Sequence, residues 1–192
     1  VTAELYEIRW HGRGGQGAVT AAKIIAQAAH LKGYRGVTAA PSFGAERRGV
    51  PVSALTRIST ERVTVVSQVE KPSAVVVLDQ SLLEYDEVVN GLNSQGWLIV
   101  NSSMLPRELK IKGEFNIATA DATGVCREVG LMVGGLPMVN TAMLGAVACA
   151  TQIVDIANIE KVIRERFSNN AVDMNLSAIR KTYKITKLGR KR

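Results

Sequence analysis

Leu5-Tyr6-Glu7-Ile8-Arg9-Trp10 runs into His11-Gly12-Arg13-Gly14-Gly15-Gln16-Gly17, and then into the alanine-rich stretch from Ala18 to Leu31. The first six residues alternate apolar and polar, the period of a half-buried strand. The seven that follow are a glycine-rich turn. Ala18 to Leu31 contains neither Pro nor Gly and carries Ile24 and Ile25, which predicts a helix, with Gly33 as its stop. Val37-Thr38-Ala39-Ala40 before Pro41 is a short second strand. The opening therefore reads as strand, glycine turn, helix, strand: a βαβ unit.

Downstream, the same alternation continues. Ser42 to Gly49 is a loop carrying Glu46, Arg47 and Arg48. Val50 to Ser59 and Val63 to Val69 are strands of a hairpin, with Pro51 tolerated only near a strand start. Ala74-Val75-Val76-Val77-Leu78 and Trp97-Leu98-Ile99-Val100 are continuous apolar runs, the mark of central strands buried on both faces. Between them, Gln80 to Leu92 has Leu82, Leu83, Val88, Val89 and Leu92 near helical spacing and is expected to be a helix. Glu114 to Thr119 is expected to be the last strand. Asp121 opens a helix to Leu131. Gly134-Gly135-Leu136-Pro137 breaks the chain before an almost uncharged helix from Met138 to Thr151. Asn158 to Phe167 and Asp173 to Lys184 are amphipathic surface helices. The fold class that follows is α/β: a single three-layer α/β/α domain with a mixed, mostly parallel sheet. The domain takes in residues 1–184, and residues 185–192 are a basic C-terminal tail.

Composition bounds the function. The chain has 192 residues, 46% hydrophobic and 21% charged, which is ordinary globular composition. Aromatics are 5%, too few for a stacking platform for single-stranded nucleic acid. The net charge of +7 is local. Residues 180–192 hold seven basic side chains (Arg180, Lys181, Lys184, Lys187, Arg190, Lys191 and Arg192) and no acid, and the other 17 basic residues balance the 17 acidic ones. A basic run of this kind is a solvated end, a dock for an acidic partner subunit, or a nucleic-acid contact, in that order, and a neutral body makes the last the weakest. Cys126 and Cys149 are too few for an iron–sulfur cluster, which takes four ligands. Free thiols and the absence of an apolar leader point to the cytoplasm, and the longest apolar stretch, Ala142 to Ala150, is half of what a membrane span requires.

The chemistry concentrates in the glycine turn. Gly12, Gly14 and Gly17 fit G-x-G-x-x-G between a strand and a helix. Such a turn exposes backbone amides at a helix start, where the dipole favours a phosphate or carboxylate. Arg13 adds a guanidinium able to grip a phosphate with two N–H groups. The bland alternative is a tight strand-to-helix turn with no ligand. A dinucleotide site wants an acid about 20 residues on to hold the ribose, and Tyr34 to Ser42 contains none. Arg35, Arg47 or Arg48 could receive a ribose phosphate instead, which suits NADP and the 3′-phosphate of coenzyme A equally. Glu46-Arg47-Arg48-Gly49 is either an extension of this anion site or a solvated loop. His11 and His30 have no nucleophile beside them, and no catalytic or metal-binding constellation is legible. A free-standing NADP-binding oxidoreductase domain is therefore an open alternative.

Three segments together resemble one family. Glu7-Ile8-Arg9-Trp10-His11-Gly12-Arg13-Gly14-Gly15-Gln16-Gly17 resembles the opening of the gamma subunit of pyruvate (2-oxoacid):ferredoxin oxidoreductases, the pyruvate synthases. Pro41-Ser42-Phe43-Gly44-Ala45-Glu46-Arg47-Arg48-Gly49-Val50-Pro51-Val52 resembles a second signature of that family, and Pro137-Met138-Val139-Asn140-Thr141-Ala142-Met143-Leu144-Gly145-Ala146 a third. The resemblance implies a subunit without redox centres, inactive alone, in an enzyme that oxidatively decarboxylates pyruvate or a related 2-oxoacid with coenzyme A to acyl-CoA, carbon dioxide and reduced ferredoxin. Thiamine diphosphate, magnesium and the iron–sulfur clusters would sit in alpha, beta and delta partner subunits, with ferredoxin as acceptor and no nucleic acid or membrane involved. For this chain it implies coenzyme A positioning and subunit organisation. Gly12, Arg13, Gly14, Gly15, Gln16 and Gly17 would meet the pyrophosphate. Arg47 and Arg48 would meet the phosphate-rich end or a partner, and Asn140 would fix backbone near the site or cap a helix.

Overall fold

The computed structural model describes residues 5–42, 49–62 and 70–191. The expected strand Val63 to Val69, and with it the expected hairpin, lies outside the described residues. The chain is α/β, with a seven-stranded mixed sheet. Its strands are β1 (Leu5–Arg13), β2 (Gly36–Pro41), β3 (Pro51–Ser59), β4 (Ala74–Val77), β5 (Trp97–Asn101), β6 (Phe115–Ala120) and, after a separate two-stranded ribbon of β7 (Met132–Val133) and β8 (Leu136–Pro137), β9 (Lys187–Lys191). The helices are α1 (Ala18–Lys32), α2 (Ala122–Val129), α3 (Val139–Thr151), α4 (Ile156–Arg166) and α5 (Asn170–Ile185).

The order across the sheet is β2-β3-β1-β4-β5-β6-β9. β1, β4, β5 and β6 are parallel neighbours, while β3 and β9 run against the strands beside them. The opening βαβ unit is therefore split. β1 and β2 point the same way, but β3 is inserted between them, paired with both. Strands lie about 4.8 Å apart, so β2 sits about 10 Å from β1 rather than beside it. The insertion is locked from within: Trp10 is fully buried, its indole N–H donates to Thr56 Oγ1 at 3.0 Å, and Thr56 Oγ1 donates to the Ala22 carbonyl at 3.1 Å. That relay pins β1, β3 and α1 to one another.

The two faces of the sheet are covered differently. All five helices contribute to one apolar core, with Ile8, Trp10, Val76, Ile99 and Ala118 from the sheet. α1 buries Ala21, Ala22, Ala28 and Ala29 with Ile24 and Ile25, and small side chains let it lie close on the strands. The uncharged α3 is buried along nearly its whole length, as its composition requires. Its crossing with α5 is close at Gly145, where a Cβ would collide with the Ile179 carbonyl and the Tyr183 N–H. A second core holds Val75, Val77, Leu98, Val100 and Ile117 against Leu82, Val88, Leu109 and Ile111. β4 and β5 feed both cores alternately, which is why their sequences are apolar throughout.

That second face corrects an expectation. Gln80 to Leu92 is not one helix but two short 3-10 turns, Gln80–Glu84 and Asp86–Val88, separated by an extended Tyr85. The apolar spacing still works, since Leu82 and Val88 reach the core. The hydrogen bonding is diverted. Arg9 donates from Nη2 to the carbonyls of Val88 at 3.0 Å and Asn90 at 2.6 Å, and more loosely to that of Glu87. A continuous helix would have spent the Glu87 and Val88 carbonyls on its own next turn. The last strand is also not β6. Residues expected to form a solvated tail supply β9, whose main chain pairs antiparallel with β6 from Phe115↔Lys191 to Thr119↔Lys187. Gly189 is needed there because Pro106 packs where its Cβ would be.

Arg9 also donates from Nε to His11 Nε2 at 3.1 Å. Burial, and then the Arg9 charge, lower the His11 pKa to about 4, so the ring is a neutral acceptor. Above pH 6.5 this site is neutral folded and unfolded alike. As pH falls from about 6.5 to about 4 the unfolded chain binds a proton that the folded chain refuses, and stability is lost over that window. The loss amounts to about 3 kcal/mol. Urea unfolding of wild type and His11→Gln between pH 7 and pH 4 will show a steeper acid decline in wild type; parallel curves would remove His11 as the cause. Gly145→Ala will lower stability by about 1–3 kcal/mol through the α3–α5 collision, several degrees of Tm; an unchanged melt would mean that the crossing relaxes freely.

Candidate functional site

A cleft of about 800 Å³ opens at the carboxyl ends of the parallel strands. Its walls come from consecutive strand-to-helix connections: Arg13 to Gln16 after β1, Leu78 to Gln80 after β4, Asn101 at the end of β5 and Thr123 at the start of α2. The β7–β8 ribbon overhangs it with Val133 and Leu136, followed by Met138 and Val139. From β1 the chain moves to one side of the sheet, toward β2 and β3, and from β4 to the other. The cleft therefore lies at the switch point, where open α/β sheets bind ligands.

The glycine turn is built by close contacts. Arg13 ends β1, and its N–H donates to Gln16 Oε1 at 2.7 Å while the Gln16 N–H donates to the Arg13 carbonyl at 2.9 Å. Gly14 extends the β1–β3 pairing by one residue, donating to Val50 O and accepting from Gly49 N–H. Gly17 has φ +77° and is the N-cap of α1, in a conformation that leaves no space for a side chain: a Cβ would strike the Asn140 amide.

Asn140 is the second residue of α3, and its Nδ2 donates to the Gly17 carbonyl at 3.3 Å. The N-cap of α3 is Met138, not Asn140, whose amide bonds main chain at the start of α1 instead. Asn140 joins the starts of α1 and α3. Its Oδ1 is buried without a hydrogen-bond partner among the described residues. Of the five α-helices described, only α2 has a side-chain cap. α2 is capped by Asp121, whose Oδ1 accepts from the Gly124 N–H at 2.8 Å. Neither α1 nor α3 has a side-chain cap or an acid in its first turn. Two uncapped N-termini, tied together, give this end of the cleft a positive polarisation.

Arg13 is placed differently from the free phosphate fork expected of it. Its Nε donates to Asp79 Oδ2 at 2.9 Å, Nη2 to Ser81 Oγ at 2.8 Å and Nη1 to the Gly49 carbonyl at 3.1 Å. Asp79 also accepts from the Ser81 N–H and hydroxyl. Partial burial opposes its ionisation, but the Ser81 bonds and the Arg13 bond and charge outweigh that, and its pKa is lowered. The guanidinium is thus a brace across the ends of β1 and β4. Sequence reading passed over Asp79, Ser81, Asn101 and Thr123. Asn101 donates to the Leu78 carbonyl and to Thr123 Oγ1 and accepts from the Thr123 N–H, closing the cleft floor. In the sequence they are ordinary polar residues after an apolar run or near a helix start, and nothing local sets them apart. Arg47 and Arg48 lie outside the described residues.

Two further groups are placed away from the cleft chemistry. Cys126 is in α2 and Cys149 in α3, and burial raises both thiols, Cys126 to about 12. Two protonated thiols on separate helices do not fit an iron–sulfur cluster. Among the described residues no group of three His, Cys, Asp or Glu side chains could hold a metal ion, and no helix is long and apolar enough to cross a membrane.

This architecture has close counterparts. The family model for pyruvate ferredoxin/flavodoxin oxidoreductase matches residues 7–185. The chain is 46% identical over 187 residues to the pyruvate/ketoisovalerate oxidoreductases common subunit gamma of Pyrococcus furiosus, covering 96% of this chain and 98% of that one. It is 44% identical over 179 residues to the pyruvate synthase subunit PorC of Methanocaldococcus jannaschii, covering 93% and 96%. The crystal structure of the pyruvate oxidoreductase subunit PORC of Thermotoga maritima superposes with a TM-score of 0.82 at 36% identity, over 97% of this chain and 99% of that one. With the match running from the first strand through the last helix, the chain belongs to the pyruvate ferredoxin/flavodoxin oxidoreductase family.

Proposed function

We propose that this chain is the gamma-type subunit of a 2-oxoacid:ferredoxin oxidoreductase, and that its cleft receives the phosphates of coenzyme A. The complex would convert pyruvate or a related 2-oxoacid and coenzyme A to acyl-CoA and carbon dioxide, passing electrons to ferredoxin. The relatives that match nearly end to end bear subunit names of such enzymes. One observation carries the coenzyme reading: the uncapped starts of α1 and α3, held together by Asn140, face a cleft at the sheet's switch point.

The residues fit a polyphosphate better than they fit a dinucleotide's ribose. The Gly15 N–H and the N–H groups at the starts of α1 and α3 would hold the pyrophosphate, with Arg13 setting the loop's shape through Asp79 and Ser81, while the Gly14 and Gln16 N–H groups are spent on Val50 O and Arg13 O. Met138, Val139 and the ribbon residues Val133 and Leu136 offer apolar cover for an uncharged part of the coenzyme. Arg47 and Arg48 remain candidates for its phosphate-rich end or for a partner. An NADP site would want β2 next to β1, and β3 occupies that place.

The chain's own residues bind, orient and exclude water; its cysteines fit no cluster. Thiamine diphosphate supplies the carbanion chemistry when bound, and with magnesium and the iron–sulfur clusters it would belong to alpha, beta and delta partners. Purifying the native complex and counting chains, iron and thiamine tests this directly: larger chains carrying both support it, and a stable, active monomer overturns it. Within that complex, Arg13→Ala will raise the KM for coenzyme A about tenfold, the scale of the charge-assisted bond to Asp79 that holds the loop in shape, and leave the KM for the 2-oxoacid in place. An unchanged KM for coenzyme A removes Arg13 from the site.

A further inference from the structure

β9 closes the sheet order, and among the described residues nothing pairs with its outer edge. An open edge strand exposes main-chain N–H and C=O groups and is a template for another chain. Charge alone often blunts such an edge, and this one is basic. The cations of residues 180–192 fall into two classes. Arg180 is held by both carboxylate oxygens of Glu160, and Lys181 by Glu128. Lys184, Lys187 and Arg190 have no ion-pair partner among the described residues. The exposed acid on the adjoining turn, Glu108, is folded back onto the Leu105 N–H.

Blunting does not account for the apolar groups in the same place. Leu188 is 53% exposed and Ile185 38% exposed. Leu188 stands beside Ala118 and Arg190 beside Asn116 on β6, two residues apart and so on the same face of the sheet. Apolar side chains set among cations, along a free strand edge, have the make-up of a protein interface. The occupant is constrained by charge. Residues 180–192 hold seven basic and no acidic side chains. A second copy pairing edge to edge would set like charges opposite one another, which is destabilising.

We propose that the outer edge of β9 docks an extended, acidic segment of a companion subunit, by strand addition to β9 with carboxylates against Lys184, Lys187 and Arg190 and with Leu188 covered. The inference rests on the reading of this chain as one subunit of an assembly, and goes beyond it by naming the edge and the chemistry of its partner. The test uses the intact complex and the full chain. Hydrogen exchange of the Lys187 to Arg190 amides, compared between chain and complex, is expected to slow by about tenfold or more on assembly, as newly paired strand amides do. The triple variant Lys184→Glu, Lys187→Glu, Arg190→Glu is expected to retain about tenfold less of the companion subunits at low salt, with a flatter salt dependence. Unchanged exchange in an intact complex overturns the proposal, as does equal retention of companions by a folded triple variant. Protection of the same amides by duplex DNA or by self-association, but not by companion subunits, overturns it too. A wild-type chain that co-purifies with no companion overturns the subunit reading, and the docking edge with it.

Discussion

Gly17 and the Asn140 amide compete for the same space, and the arrangement of the cleft depends on that competition. A side chain at position 17 would occupy the volume from which Asn140 reaches the Gly17 carbonyl. Because position 17 is glycine, two helices far apart in sequence begin against each other. The tie is made by a side-chain amide donating to a main-chain carbonyl, so it leaves the N–H groups of both helix starts without a side-chain cap. Missing side-chain caps are general among these helices, since α4 and α5 lack them too; what sets α1 and α3 apart is that they start against each other beside the cleft. An uncapped helix start is costly unless something satisfies its N–H groups. Water or an anionic ligand can do so.

The glycine fingerprint taken by itself is a poor guide to the ligand. The same spacing serves dinucleotide sites, where the neighbouring strand supplies the ribose contact. Inserting β3 between β1 and β2 removes that neighbour, while the Trp10–Thr56–Ala22 relay makes the insertion part of the core. What remains beside the turn is the end of β4. There Asp79 and Ser81 turn Arg13 from a charge offered to solvent into a brace. The local motif is thus unchanged, and its chemical meaning is reset by topology.

The elements read correctly from the chain are those whose signal is local and strong. The alanine-rich α1 ending at Gly33, the doubly buried β4 and β5, the Asp121 cap and the uncharged α3 all follow from propensity, capping and apolar periodicity. Gln80 to Leu92 misled because its apolar spacing is compatible with a helix, while the decision lay with Arg9, some eighty residues earlier, which draws off the carbonyls a helix would need. The Gly134-Gly135 break was visible, but not that both glycines take positive φ to make a ribbon that overhangs the cleft. Of the site, the glycine turn and Asn140 were legible as motifs. Asp79, Ser81, Asn101 and Thr123 were not, since ordinary polar residues at strand ends acquire meaning only when several strand ends meet.

By itself, the order of residues determined that this is an α/β domain, that a polarised glycine turn opens its first helix, and that its positive charge is gathered in residues 180–192. Backbone preference and burial act over a few residues, so these are written locally. Only the tertiary structure decided that β3 parts β1 from β2, that Arg13 is spent on Asp79, and that the basic run is a strand with an open edge. Each of those depends on which unpaired main-chain edge or buried charge lies nearby in space, and distance along the chain carries no record of that.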